Sequence, residues 1–147
     1  MTINSQLRRV APLVIAALFA GIAPARAGAQ GFQIIANSTV KADGIDKATA
    51  EKVFLKKATS FGGVTVTPVD QAIASSVRDA FSKAVLGRPA GAVNQYWQQQ
   101  IFSGADVPPA IKASDDAVIE FVKSTAGAVG YVSAGASTGG VKVLALK

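Results

Sequence analysis

The residues with the clearest capacity for chemistry stand at the predicted start of a helix near residue 75. Ser75 and Ser76 precede an amphipathic stretch, and Arg78 follows Ser75 by about one helical turn. Backbone N–H groups at a helix N-terminus carry about half a positive charge and attract anions, and an arginine can bind an oxyanion through two parallel hydrogen bonds. The cluster predicts an oxyanion site, with an ordinary serine cap beside a solvated arginine as the alternative.

A second pair of hydroxyl donors, Ser38 and Thr39, follows the first predicted strand. Ligands of α/β proteins bind near the carboxyl ends of strands, so we place both residues in the predicted anion site, with plain turn residues as the alternative. Ser38-x-x-Lys41 also matches an element of serine acyl-transfer enzymes. The facing Lys-Thr-Gly strand is missing, however, because residues 137–139 read Ser-Thr-Gly.

The amino-acid inventory leaves few groups for catalysis or metal binding. The 147-residue chain contains no cysteine and no histidine, which removes disulfides, most transition-metal sites and the usual general bases. Lys56 and Lys57 are the only adjacent basic pair after residue 27, whereas nucleic-acid binding needs clustered basic residues. We therefore expect a binding protein and not an enzyme, with no metal, no cofactor and no nucleic-acid partner.

Residues 1–27 have the pattern of a secretory signal peptide. Two arginines precede an uncharged apolar segment, 10–23, and small residues flank cleavage frames that end at Ala27 and Ala29. The apolar segment is shorter than the about 20 residues that span a bilayer. Cleavage removes three arginines, lowers the net charge from +6 to +3, and leaves one domain, 28–147, in the periplasm without a membrane anchor.

Hydrophobic periodicity divides residues 28–147 into strands and helices. Strand patterns cover 32–36, 64–69, 128–132 and 141–146, and helical patterns cover 45–57 and the stretches that begin at Ser75, Pro89 and Ser114. Helices interleaved with strands are typical of a mainly parallel sheet with helices on both faces. The predicted fold is therefore a three-layer α/β lobe.

Four segments of the chain resemble the phosphate-specific periplasmic solute-binding proteins, the receptors of ABC importers. Three of them are 34–57, 66–81 and 97–104, and the most specific is 121–132, FVKSTAGAVGYV, which is similar to that family's FV-x-x-TPGAIGYV. The resemblance implies one lobe of a two-lobed periplasmic-binding-protein clamp. It also implies phosphate or another oxyanion as ligand, and an ABC transporter or other periplasmic or membrane protein as partner.

The anion-binding loop of that family reads roughly Arg-x-x-x-Ser-Gly-Thr, and of these residues this chain keeps only the serine, as Ser75. Gln71 stands at the arginine position, and Ser76 and Val77 replace the glycine and the threonine. Two hypotheses follow. In the first, the chain is a substrate-binding-protein-like module that holds an oxyanion for phosphate uptake. In the second, it is a solute-free interaction protein whose exposed half-cleft binds a protein partner or a second copy.

Overall fold

A computed structural model describes residues 31–147. The predicted signal peptide and its cleavage frames lie outside the described residues. The described elements are β1 (Phe32–Ala36), β2 (Gly44–Ile45), α1 (Lys47–Phe54), β3 (Ser60–Phe61), β4 (Val64–Thr65), β5 (Thr67–Gln71), α2 (Ser76–Phe81), α3 (Ala90–Phe102), β6 (Ala110–Lys112), α4 (Asp115–Ser124), β7 (Ala128–Ser133) and β8 (Lys142–Leu146). None of these helices is both long and apolar enough to cross a membrane.

Six of the strands form one sheet in the order β2-β8-β1-β7-β5-β6, and β3 and β4 form a separate hairpin. The pairs β2–β8, β7–β5 and β5–β6 are parallel. Strand β1 runs antiparallel to both of its neighbours, β7 and β8. The predicted α/β class with a mostly parallel sheet is therefore confirmed, and within the six-stranded sheet only β1 runs against its neighbours.

Helices cover both faces of the sheet, because each face is apolar and must be buried. The larger core lies under α1, α2 and α3, and its buried side chains include Phe54, Phe81 and Trp97. The smaller core lies under α4, where Val118 and Val122 pack against Val69 of β5. The predicted three layers are confirmed.

Local signals determine where the helices of the larger layer begin and end. Ser75 caps α2, which continues as a π-helical turn, Ser82–Leu86, and stops at Gly87 with φ 67°. Helix α1 is shorter than the predicted 45–57. The carboxylate of Asp46 accepts the Thr49 N–H at 2.9 Å and caps it, while Lys56, with φ 56°, follows its end.

Helix α3 begins after Pro89, as predicted. The i, i+4 spacing of Val93, Trp97 and Ile101 indicates one common apolar face, but Ile101 does not face the core. Val93 and Trp97 are buried, whereas Ile101 is 52% exposed and Phe102 is 98% exposed. The buried positions of α3 all lie in its first eight residues, so its last turn projects beyond the layer that it covers. Periodicity alone does not show where the covering surface ends.

Candidate functional site

The C-terminal end of β5, the first turns of α2 and the middle of β7 bring three polar side chains together in the larger core. Asp70 is the penultimate residue of β5, Arg78 points inward from α2, and Tyr131 lies on β7. The Arg78 Nη2 atom lies 3.2 Å from Asp70 Oδ2, with the two side chains 3% and 12% exposed. The cluster is therefore a buried ion pair, which needs additional hydrogen bonds to offset its desolvation.

The Asp70 carboxylate receives donors on both oxygens. Its Oδ1 atom accepts the Tyr131 hydroxyl and the Gln71 N–H, the latter at 2.9 Å, while Oδ2 faces Arg78. Burial and the nearby Asp70 charge raise the pKa of Tyr131 well above its ordinary value, so the phenol stays protonated and donates. A guanidinium, a phenol and a backbone amide thus converge on one internal carboxylate.

Arg78 uses only part of its donor capacity. Nη1 donates to the Gln71 carbonyl oxygen at 2.8 Å and Nη2 faces Asp70, whereas Nε finds no hydrogen-bond partner among residues 31–147. An unsatisfied buried donor costs free energy, so Nε marks an incompletely satisfied position next to the ion pair.

Gln71, which stands at the arginine position of the resembled loop, ties three elements together. Its Oε1 atom accepts the Ser75 hydroxyl at 2.9 Å, and its Nε2 atom donates to Asp115 Oδ1 at 2.8 Å and to the Tyr131 carbonyl oxygen at 3.0 Å. Ser75 Oγ in turn accepts the Arg78 N–H at 3.4 Å, as an N-cap does. The place of a cationic side chain is therefore taken by a neutral, hydrogen-bonded amide.

Asp115, at the start of α4, joins this network from the opposite face of the sheet. Its Oδ1 atom accepts the Ser133 N–H at 3.1 Å in addition to the Gln71 amide. Burial acts to raise the pKa of Asp115, but hydrogen bonding from the Ser133 side chain, the Gln71 amide and the Ser133 N–H together outweighs it and leaves the pKa below its ordinary value. Asp115 therefore lies in the first turn of α4, where the helix dipole favours an acidic residue, and also joins α4 to β5 and β7.

Ser75, Ser76 and Arg78 lie within four residues at the start of α2, but only the Arg78 side chain is fully buried. Ser76 is exposed, Ser75 is half-buried, and Arg78 is 2% exposed. We expected the Arg78 guanidinium to bind a free oxyanion through two hydrogen bonds. Its two Nη atoms contact Asp70 and the Gln71 carbonyl oxygen instead. Arg78 is therefore closed to solvent in this structure.

Ser38 and Thr39 do not share a site with Ser75. Because β1 is antiparallel to β7, its C-terminal end lies beside Val129 at the start of β7, whereas Gln71 bonds to Tyr131 near the end of that strand. The Thr39 hydroxyl donates to Asn37 Oδ1 and accepts the Gly127 N–H, both at 2.9 Å. Thr39 thus serves an Asn-based turn, and Ser38 is exposed beside it.

Two exposed isoleucines flank the strand ends on the sheet edge. Ile111 pairs with Asp70 across the β5–β6 ladder and is 53% exposed, and Ile73 follows β5 and is 50% exposed. The Ala72 N–H donates to the Lys112 carbonyl oxygen at 3.0 Å, which holds the two isoleucine segments side by side. Apolar exposure next to a cluster of buried polar groups is typical of an interaction surface.

Sequence reasoning missed Asp70 and Tyr131. Asp70 directly follows Val69, where the predicted strand 64–69 ends, and its burial against Arg78 depends on the packing of α2 on β5. Tyr131 lies inside the most specific segment of the resemblance, but nothing local shows where its hydroxyl points. Among residues 31–147, no group of three or more acidic side chains could hold a metal ion.

Comparison with solved structures gives consistent neighbours. The chain superposes on an ABC-type phosphate transport receptor from Vibrio cholerae with a TM-score of 0.61 and 16% identity, covering 79% of this chain and 46% of the receptor. A putative phosphate ABC transporter substrate-binding protein with bound phosphate, from Clostridium perfringens, gives 0.62 and 17%, with 79% and 44% covered. PstS from Borrelia burgdorferi gives 0.61 and 14%, with 80% and 47% covered.

These likenesses show the fold. The chain folds as phosphate ABC transporter substrate-binding proteins do, and it spans about half the length of the structures that it matches. The neighbours are transport substrate-binding proteins and not enzymes. No protein-family model and no curated protein matches the chain.

Proposed function

We propose that this chain is a binding-protein-like module that works without a bound solute. The sheet edge that carries Ile73 and Ile111 would pair with a second copy of the same lobe. The observation that carries the proposal is the closure of the anion position. Hydrogen bonds join Gln71, Ser75 and Arg78 to each other, and Arg78 also pairs with Asp70. Few donors therefore remain for a free oxyanion.

The choice of a second copy as partner rests on the two-lobed clamp that the resemblance implies. The chain covers 44–47% of the three matched structures, so two such lobes approximate one whole protein of that type. Ile73 and Ile111 supply exposed apolar area at the edge that would meet the second lobe. Burial of such area favours association.

Light scattering over a wide concentration range tests the pairing. The expected result is a mass that rises from one to two copies with concentration, and a shift toward the monomer for Ile73→Asp and for Ile111→Asp. Ile101→Asp is the matched control, because Ile101 is equally exposed on the last turn of α3. A monomer at every concentration, or equal dissociation by all three variants, contradicts the proposal.

A second candidate function is the binding of phosphate or another oxyanion for ABC-type phosphate uptake, with Ser75, Ser76 and Arg78 as ligands and an ABC transporter as partner. The unpartnered Nε of Arg78, the exposure of Ser76 and the fold of the phosphate-binding neighbours support it. Calorimetry with phosphate and sulfate separates the two candidates. Heat of binding that disappears in Arg78→Ala favours the oxyanion, and absence of heat with the wild type favours the solute-free module.

The fold of the matched transport receptors supports a periplasmic location for either function. We propose export through residues 1–27 and cleavage near Ala27 or Ala29, which yields the domain 28–147. Mass spectrometry of the protein recovered from a periplasmic extract tests this directly. A mass that corresponds to the uncut chain contradicts it.

A further inference from the structure

The donors around Asp70 form the kind of arrangement that receptors use to hold small anions. The Arg78 guanidinium, the Tyr131 hydroxyl and the Gln71 N–H approach one carboxylate from three elements, α2, β7 and β5. We infer that these three donors are an anion-binding site whose resident anion is the Asp70 side chain. Shortening Asp70 therefore converts the position into a receptor for a free carboxylate of formate size.

Charge and burial supply the driving force. Arg78 is 2% exposed, so removal of the Asp70 carboxylate leaves a desolvated cation with no counter-ion beside it. The Nε atom already lacks a partner within residues 31–147, which gives the guanidinium a further donor for an incoming anion. An unpaired buried charge is costly, and a small anion that enters the site relieves that cost.

The geometry of the site selects the ligand by size and shape. Asp70→Ala removes one planar carboxylate, and the donors that remain were placed around a planar group with two oxygens. Formate has this group and little else. A tetrahedral oxyanion is larger and would have to displace Tyr131, whose ring is fixed by its stack on Phe81 at 3.9 Å.

This inference rests on the proposed solute-free function and deepens it. In that function, the Asp70 carboxylate takes the place of a bound anion. The two are tested separately. Phosphate binding by the wild type contradicts the proposed function and leaves the Asp70 site intact, whereas failure of formate to act on Asp70→Ala contradicts only the present inference.

The experiment is chemical rescue of Asp70→Ala by sodium formate, followed as the melting temperature against sodium chloride at equal ionic strength. At formate concentrations about tenfold above the dissociation constant, we expect Asp70→Ala to gain about 4 °C more than the wild type does. Phosphate should give the variant no such advantage over the wild type. If Asp70→Ala is unfolded in chloride, the same titration is read as formate-dependent recovery of the near-ultraviolet circular dichroism of buried Trp97.

Three variants control the experiment. Asp79→Ala breaks an exposed pair with Lys83 and should show no formate-specific gain, since the Lys83 ammonium that remains is solvated. Asp70→Asn fills the same space and should not be rescued. Asp70→Ala combined with Arg78→Met lacks the cation, and its formate response should equal that of the wild type. An equal response of Asp70→Ala and the wild type, or rescue that persists without Arg78, overturns the inference.

Discussion

The rings of Phe81 and Tyr131 are stacked face to face, with centroids 3.9 Å apart and planes inclined by 5°. The stack joins the end of α2 to the middle of β7, and Phe54 of α1 meets Phe81 edge-on at 4.6 Å. Because Arg78 lies one turn before Phe81, the stack also sets where the guanidinium meets Asp70. The apolar core and the buried polar site therefore depend on the same contact.

Phe81→Ala should lower the free energy of unfolding by about 3–5 kcal/mol, because it removes a fully buried ring from this stack and leaves a cavity. Phe102→Ala is the matched control, since Phe102 is 98% exposed and the change should stay within about 0.5 kcal/mol. Urea denaturation measures both. Similar losses for the two variants contradict the assignment of Phe81 to the core.

Arg78→Met should lower the free energy of unfolding by about 3 kcal/mol, since it leaves the Asp70 carboxylate buried without its cation. Adding Asp70→Asn removes that charge, so the double variant should lose less than the sum of the two single losses. Lys83→Met serves as comparison, because it breaks the exposed pair with Asp79 and should cost below about 1 kcal/mol. Strict additivity of the two changes at the buried pair rules out direct coupling.

The lowered pKa of Asp115 makes part of the stability dependent on pH. The folded protein holds Asp115 ionised at a pH where the unfolded chain already binds a proton, so the unfolded state carries more protons and stability rises with pH in that window. The contribution is complete above about pH 4, the ordinary aspartate range, and is lost as pH falls through the folded pKa.

Asp115→Asn should therefore flatten the acid side of the curve of unfolding free energy against pH. It should also cost up to about 1 kcal/mol at neutral pH, because the partly solvated hydrogen bonds from Ser133 and Gln71 lose their ionised acceptor. Asp116→Asn, at the neighbouring position of the same helix, provides the reference. An unchanged acid slope in Asp115→Asn, relative to that reference, refutes the prediction.

Gly127 precedes β7 and cannot accept a side chain. It has φ +73°, and a Cβ atom there would collide with the Thr65 carbonyl oxygen. Gly127→Ala should therefore cost at least about 2 kcal/mol. Gly91→Ala in α3 meets nothing within 4 Å and should raise stability by about 0.5 kcal/mol. The melting temperatures of both variants test these expectations. An unchanged melting temperature in Gly127→Ala would show that the turn before β7 relaxes freely.

Much of the local structure was predictable from residues that act on their immediate neighbours. Ser75 and Ser114 cap their helices through the N–H groups three residues later, and Gly87 ends the helical run in a left-handed conformation. The exposed position of Ile101 was not predictable, because burial depends on what lies across from a helix. The short strand β6, for which the sequence shows no strand pattern, exists through its pairing with β5.

By itself the sequence determined the order of the four helices and of the longer strands β1, β5, β7 and β8, together with the helix caps, since each of these depends on contacts within a few residues. Tertiary structure alone decided that β1 runs antiparallel to β7, which separates Thr39 from Ser75. It also decided that Arg78 meets Asp70 instead of solvent. Strand pairing and ion pairing both join residues that are distant along the chain. The free energy of each contact depends on burial that only the assembled sheet and helices create.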